Sequence, residues 1–197
     1  MEGWIWGLAG ITLIGIAVTW IRLARQRPTK VVISNPALGV LNLAGSAGDE
    51  LATHDLAVLA SLFDDVRRSE GEPPICDVLL LYCDIGPDGK VSGSTRTLRE
   101  IIRDSRASVV VVARDHPVGS YTAAVPRAAF GRANIVMTLR RKGSTFPRFL
   151  ARIFSEMKGG VSMPVAWNKL APQVPGAVHV DVPETVFVCE AGEIAFG

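Results

Sequence analysis

Cys83 and His116 are the pair of residues in this sequence best suited to nucleophilic chemistry, because a thiol beside an imidazole is activated as a thiolate. Cys83 ends an apolar run over residues 77–83, and His116 follows a second apolar run over residues 108–113. If the two runs are neighbouring parallel strands, both side chains lie at one edge of a sheet. Most free cysteines, however, are small buried hydrophobic residues. A cysteine hydrolase is therefore one of several candidate functions.

Polar residues follow three of the predicted strands, at the ends where ligands of parallel sheets gather. We predict a ligand site that comprises Ser34, Asn35, Asp84, Arg114, Asp115 and His116. Arginine side chains and backbone amides at such an edge suit phosphate oxygens. The histidines and cysteines lack the spacing of metal ligands, and no phosphate-binding loop is present. We therefore predict neither a metal nor a cofactor.

The elements that would position these residues alternate between apolar and amphipathic segments. Strands are predicted at residues 31–34, 77–83, 108–113 and 134–139, and helices at 49–68, 95–104 and 146–157. Nearly continuous apolar strands between helices are typical of a buried parallel sheet. Residues 185–189 and 193–196 are predicted to form a C-terminal β-hairpin, and residues 37–48 a loop. The predicted fold class is a three-layer α/β domain with a mainly parallel sheet.

One transmembrane helix is predicted before that domain. Residues 4–21 are apolar and uncharged over about the length that crosses a bilayer core. Trp4, Trp6 and Trp20 lie near its ends, where interfacial tryptophans belong, and Arg22 and Arg25 follow it. A cleaved signal peptide would carry positive charge before the apolar segment, whereas only an acidic residue precedes it here. We therefore predict an uncleaved anchor.

The arginines after the apolar segment place the C-terminal domain in the cytoplasm and the N-terminus outside. This makes the chain a single-pass protein of the inner (cytoplasmic) membrane, with an anchor and basic juxtamembrane segment at residues 1–30 and a cytoplasmic domain at 31–197. Gly3, Gly7 and Gly15 share one helix face, which permits close packing against another helix. The expected partners are the membrane itself and an integral membrane protein or a second copy of the chain.

The charge distribution argues against binding to bulk nucleic acid. Four of the 21 basic residues and one of the 19 acidic residues precede residue 31, which leaves 17 basic and 18 acidic residues in the domain. A nearly neutral domain lacks the electrostatic footprint of a non-specific nucleic-acid binder. Three cysteines without a spacing pattern indicate reduced thiols in a cytosolic setting.

Residues 76–197 resemble caspase-like domains of the CHAT type in the order of their segments. The order runs DVLLLYCDIG, TLREIIRDS, ASVVVVARD and GRANIVMTLRRKGSTFPRFLARIFSEMKGG, and the ending AWNKLAPQVPG to PETVFVCEAGEIAF also fits. In that family one strand ends in a catalytic His-Gly pair and the next ends near a catalytic Cys. This chain has Asp84 at the first position and Arg114 or Asp115 at the second. The resemblance therefore implies a non-catalytic relative that has kept the fold.

The chain is also similar, in its general plan, to membrane-anchored CARF-type sensors of cyclic oligonucleotides. That resemblance implies a small nucleotide ligand held by the loops after the strands, which here are Ser34-Asn35 and residues 114–120. Three functions follow from the sequence. The leading one is a non-catalytic, membrane-anchored interaction module, an accessory or adaptor subunit of a membrane complex. The alternatives are a membrane-anchored nucleotide-sensing effector and a cysteine hydrolase that uses Cys83 and His116.

Overall fold

Eight strands and four α-helices form the part of the chain that the computed structural model describes, which is residues 30–86, 88–117, 132–171 and 182–197. In chain order these are β1 (Lys30–Ile33), β2 (Ala37–Asn42), α1 (Ser46–Leu59), a 3-10 turn (Ala60–Leu62), β3 (Asp65–Ser69), β4 (Val78–Tyr82), α2 (Leu98–Ser105), β5 (Val109–Val112), β6 (Asn134–Arg140), α3 (Thr145–Lys158), α4 (Met163–Leu170), β7 (Glu184–Cys189) and β8 (Glu193–Phe196).

Six of the strands form the main sheet in the order β3-β2-β4-β5-β6-β7. All neighbouring pairs are parallel except β6 and β7, which are antiparallel. Every residue of β2, β4 and β5 is buried, as expected for strands that are covered on both faces. The predicted mainly parallel sheet is confirmed.

The strand order reverses between β2 and β4. The chain passes from β2 through α1 to the edge strand β3, and then returns to the other side of β2 to form β4. In open parallel sheets this reversal leaves a crevice at the carboxyl ends of the two strands, where ligands commonly bind. The main sheet therefore has its switch point between Asn42 and Tyr82, which are paired in register.

Helices cover both faces of the main sheet, so the chain is a mixed α/β protein. On one face α1, α3 and α4 pack together with β8, and their core side chains include Leu56, Phe149 and Ala166. On the other face α2 buries Leu98, Ile101 and Ile102 against β4 and β5. Apolar residues spaced three and four apart give each helix a side that faces the sheet.

The two C-terminal strands are present, but the predicted hairpin between them is wrong. β7 pairs with β6 at the edge of the main sheet, whereas β8 pairs in parallel with β1 in a separate two-stranded sheet. Phe196 on β8 is buried, with its ring centroid 6.2 Å from that of Phe63 and 6.1 Å from that of Phe154. Burial of this aromatic side chain fixes β8 beside α3 rather than beside β7.

Two strands were missed by the sequence patterns. β2, which was predicted as loop, is central because Gly39 lets it approach Cys76: a Cβ at residue 39 would lie 2.4 Å from the Cys76 sulfur. β3 was assigned to a helix over residues 49–68, yet α1 ends at Leu59. β3 is an edge strand whose residues are exposed or half-buried, so it lacks the apolar signature of a core strand.

The predicted anchor lies outside the described residues. Residues 1–29 contain all the positions predicted for membrane packing and for the membrane interface: Gly3, Gly7, Gly15, Trp4, Trp6, Trp20, Arg22 and Arg25. Within the described ranges, no helix has the length and apolarity needed to span a bilayer. The anchor and the cytoplasmic location stay predictions.

Candidate functional site at the carboxyl edge of the main sheet

Asp84 and Arg114 follow neighbouring strands and form an ion pair. Arg114 Nη1 donates a hydrogen bond to Asp84 Oδ2 at 2.9 Å. The side chains are 28% exposed for Arg114 and 56% exposed for Asp84, so solvent screens much of the attraction. The pair bridges the ends of β4 and β5. Asp84 and Arg114 therefore each have a charged protein partner at the edge of the sheet.

Asp115 and His116 are also tied to the protein. Asp115 Oδ1 accepts a hydrogen bond from the Arg141 backbone N–H at 2.9 Å, and the His116 backbone N–H donates to the Thr138 carbonyl at 2.9 Å. His116 Nδ1 lies 2.7 Å from the Arg114 carbonyl oxygen. Because a carbonyl oxygen only accepts, Nδ1 must carry the proton in this bond. In the neutral ring Nε2 is then an acceptor.

Two buried polar atoms at this edge have no hydrogen-bond partner among the described residues. They are His116 Nε2 and Thr138 Oγ1. His116 is 5% exposed and Thr138 is fully buried. A buried polar atom without a partner costs about 1–3 kcal/mol. The two atoms therefore mark a place where a further hydrogen-bonding group would be stabilising.

Cys83 does not have the environment of an activated nucleophile. Its side chain is completely buried, and burial raises the pKa of the thiol to about 12, with a smaller contribution from the Asp84 charge. A thiol with this pKa is protonated at neutral pH, whereas the thiolate is the reactive form. In the described part of the chain no hydrogen bond joins Cys83 to His116.

Ser34 and Asn35 lie away from the other four predicted site residues. They connect β1 to the amino end of β2, and Asn35 adopts a positive φ of 50° in this turn. β1 belongs to the two-stranded sheet, so its end is not part of the carboxyl edge of the main sheet. The structure thus brings together Asp84, Arg114, Asp115 and His116, and it places Ser34 and Asn35 elsewhere.

A buried network that the sequence did not reveal stands beside this site. Asp55 of α1 accepts a hydrogen bond from Tyr82 Oη at 2.7 Å and one from Arg141 Nη2 at 2.5 Å. Arg141 also donates to the Ala113 carbonyl, and its guanidinium lies 4.2 Å from the ring centroid of Phe146. The pKa of Tyr82 is raised, first by burial and then by the Asp55 charge, so Tyr82 remains a donor.

This network could have been suspected from one sequence signal only. Asp55 occupies a position between the apolar residues of α1, where a charged side chain needs a partner. Arg141 belongs to a run of three basic residues, Arg140 to Lys142, whose charges suit phosphate oxygens. In the structure its guanidinium is instead satisfied by protein groups, so Arg141 is not available to a ligand.

A groove of about 300 Å³ lies at the carboxyl ends of β2 and β3 beside α1. Val40 and Ala52 contribute apolar surface, and Asn42, Asp49 and Arg68 contribute polar groups. The Asn42 amide donates to the Gly45 carbonyl and to Asp49 Oδ1, both at 2.8 Å, which fixes the loop before α1. The groove has the volume of a small-ligand site.

In the described ranges, no three His, Cys, Asp or Glu side chains come close enough to hold a metal ion. No protein-family model matches the chain, and no curated protein is significantly similar to it. A fold of this class serves many unrelated functions, so the geometry of the edge carries the functional argument.

Proposed function

We propose that this chain is a non-catalytic, membrane-anchored interaction module that serves as an accessory or adaptor subunit of a membrane protein complex. The observation that carries the proposal is the Asp84–Arg114 ion pair, at 2.9 Å. In caspase-like domains, which this chain resembles, a catalytic His and a catalytic Cys lie at these two strand ends. Here Asp84 and Arg114 occupy these positions and bond to each other.

The surroundings of this ion pair support the same conclusion. Asp115 is held by the Arg141 backbone, and the Arg141 side chain is held by Asp55. Cys83, which directly precedes Asp84, is buried, and its thiol is protonated at neutral pH. The charged groups at the edge are thus paired with other protein groups, and Cys83 is not activated as a nucleophile. These observations weigh against the cysteine hydrolase.

The predicted anchor supplies the membrane part of the proposal. The apolar segment ends at residue 21 and β1 begins at Lys30, so only eight residues separate them. A domain on such a short tether stays beside any protein that packs against its anchor. Holding a partner at the cytoplasmic surface needs no chemistry from the carboxyl edge.

The experiment is purification of the tagged full chain from native membranes, with quantification of the proteins that accompany it. We expect one integral membrane protein in a fixed ratio to the chain. A Gly7→Leu variant, which fills the small-residue face of the anchor, should lose most of that partner. Ala9→Leu makes the same kind of enlargement on the opposite helix face and serves as the matched control. Recovery of the wild-type chain without any membrane protein would contradict the proposal.

A nucleotide-sensing effector is the second candidate function. It is favoured by His116 Nε2 and Thr138 Oγ1, two buried atoms that lack partners among the described residues at the edge where such a ligand would bind. The full chain in detergent should then gain thermal stability from a cyclic oligonucleotide, and His116→Phe should abolish the gain. Val165→Phe is the control, since Val165 is 54% exposed on α4. An unchanged melting temperature across a panel of cyclic oligonucleotides would exclude this candidate.

A further inference from the structure

β1 is the most exposed apolar strand in the described part of the chain. Val31 is 38% exposed and Val32 is 56% exposed, although their side chains point to opposite faces of the strand. Among the described strands, β8 alone pairs with β1. Part of both faces of β1 is exposed, in contrast to the buried strands of the main sheet.

The position of β1 in the chain restricts what lies next to it. Eight residues lie between the end of the predicted transmembrane segment, residue 21, and the start of β1 at Lys30. An extended chain covers at most about 3.6 Å per residue, so eight residues span at most about 29 Å. The tether thus keeps the start of β1 within that distance of the end of the predicted transmembrane segment.

The chain that leads into β1 is basic. Residues 22–30 contain Arg22, Arg25, Arg27 and Lys30 and no acidic residue. Lys30 is exposed at the start of β1, and its register partner on β8 is Glu193. The cytoplasmic leaflet carries anionic lipids that attract basic residues close to a membrane anchor.

We propose that β1 is a membrane-docking strand, with Val31 and Val32 at the headgroup boundary of the bilayer and Lys30 among anionic lipid headgroups. The inference rests on the membrane anchor of the proposed function. A lipid surface fits better than a second copy of the chain, because β1 has only four residues and offers few backbone hydrogen bonds to another strand. The tether, in contrast, keeps β1 within reach of the bilayer in every molecule.

The test places an environment-sensitive fluorophore on single cysteines of the full chain in lipid vesicles. Cys189→Ser removes the exposed native thiol, whereas Cys76 and Cys83 are buried. The probe is attached at Val32→Cys or Val31→Cys. Ile75→Cys and Val66→Cys are the matched controls, since Ile75 is 56% exposed like Val32 and Val66 is 38% exposed like Val31.

Spin-labelled lipids should quench the fluorophore at residues 31 and 32 several-fold more than at residues 75 and 66. The difference should shrink when phosphatidylserine is replaced by phosphatidylcholine. Equal quenching at all four positions, or a difference that does not depend on phosphatidylserine, would overturn the inference. Disulfide formation between Val32→Cys chains without lipid quenching would assign β1 to a second copy instead. Extraction of the wild-type chain by alkaline carbonate would refute the anchor itself, which separates that failure from a failure of docking alone.

Discussion

Asp55 and Arg141 are 86 residues apart in sequence and form a buried ion pair, with Oδ1 of the aspartate 2.5 Å from Nη2 of the arginine. Tyr82 donates to the other carboxylate oxygen, so α1, β4 and the chain after β6 meet at one carboxylate. Burial of a charge is unfavourable unless it is paired and hydrogen-bonded. The network therefore fixes how α1 lies on the main sheet.

Replacement of Asp55 by alanine should lower the free energy of unfolding by about 3–5 kcal/mol, because Arg141 would keep a buried charge without its partner. Urea denaturation followed by circular dichroism measures the change. Asp64→Ala is the control: Asp64 is exposed, and its loss should change stability by no more than about 0.5 kcal/mol. Equal stability of the two variants would show that the network does not hold the fold together.

Alkaline pH should destabilise the chain through its buried thiols. Burial raises the pKa of Cys76 and of Cys83 from 9.0 to about 12. Between pH 9 and 12 the folded chain therefore binds more protons than the unfolded chain, and stability falls as the pH rises. Each thiol should contribute a slope of about 1.4 kcal/mol per pH unit in that window.

The measurement is the free energy of unfolding at a series of alkaline pH values. Other groups also titrate there, so the comparison is with a Cys76→Ala variant, whose pH dependence should be shallower than that of the wild type. Parallel curves for the two proteins would mean that the Cys76 thiol ionises equally in the folded and unfolded states.

Gly39→Ala should destabilise the centre of the sheet by about 1–3 kcal/mol, because the new Cβ would lie 2.4 Å from the Cys76 sulfur and 2.9 Å from Pro74 Cγ. Thermal unfolding gives the size of the effect. Gly71→Ala is the control, since a Cβ at residue 71 meets nothing within 4 Å. Adding Cys76→Ala should recover part of the loss, and a double variant no more stable than Gly39→Ala would argue against a steric cause at Cys76.

An Arg114→Gln variant tests how much the exposed Asp84–Arg114 ion pair contributes to stability. Arg114→Gln should change the free energy of unfolding by about 0–1 kcal/mol, as is usual for a partly exposed pair. Partner recovery from native membranes should also persist in this variant if the anchor holds the partner. Loss of the partner in a stably folded Arg114→Gln chain would move the binding surface from the anchor to the carboxyl edge.

Sequence patterns predict the strands and helices whose side chains are buried in a regular pattern. β4, β5 and β6 are buried on both faces, so each is an apolar run, and α2 and α3 each bury one side. β2 escapes prediction because Gly39, which close packing requires, weakens the strand pattern. β3 escapes because an edge strand needs few apolar residues.

Part of the candidate site was predictable for the same reason. The ends of β4 and β5 are adjacent in any parallel sheet that contains them as neighbours, and this brings Asp84 close to Arg114. Ser34 and Asn35 were misplaced because the pattern does not say which sheet a strand joins. The Asp55–Arg141 pair depends on how α1 packs on the sheet, which no local pattern encodes.

The alkylation rate of Cys83 in the folded full chain tests most directly whether the carboxyl edge is non-catalytic. Mass spectrometry after exposure to iodoacetamide reports each thiol separately. We expect exposed Cys189 to be modified quickly, and buried Cys83 to react only as fast as the chain unfolds. Urea above the unfolding midpoint should make all three cysteines react alike. Rapid modification of Cys83 in the folded chain, at or above the rate of Cys189, would contradict a non-catalytic edge and restore the cysteine hydrolase as the function.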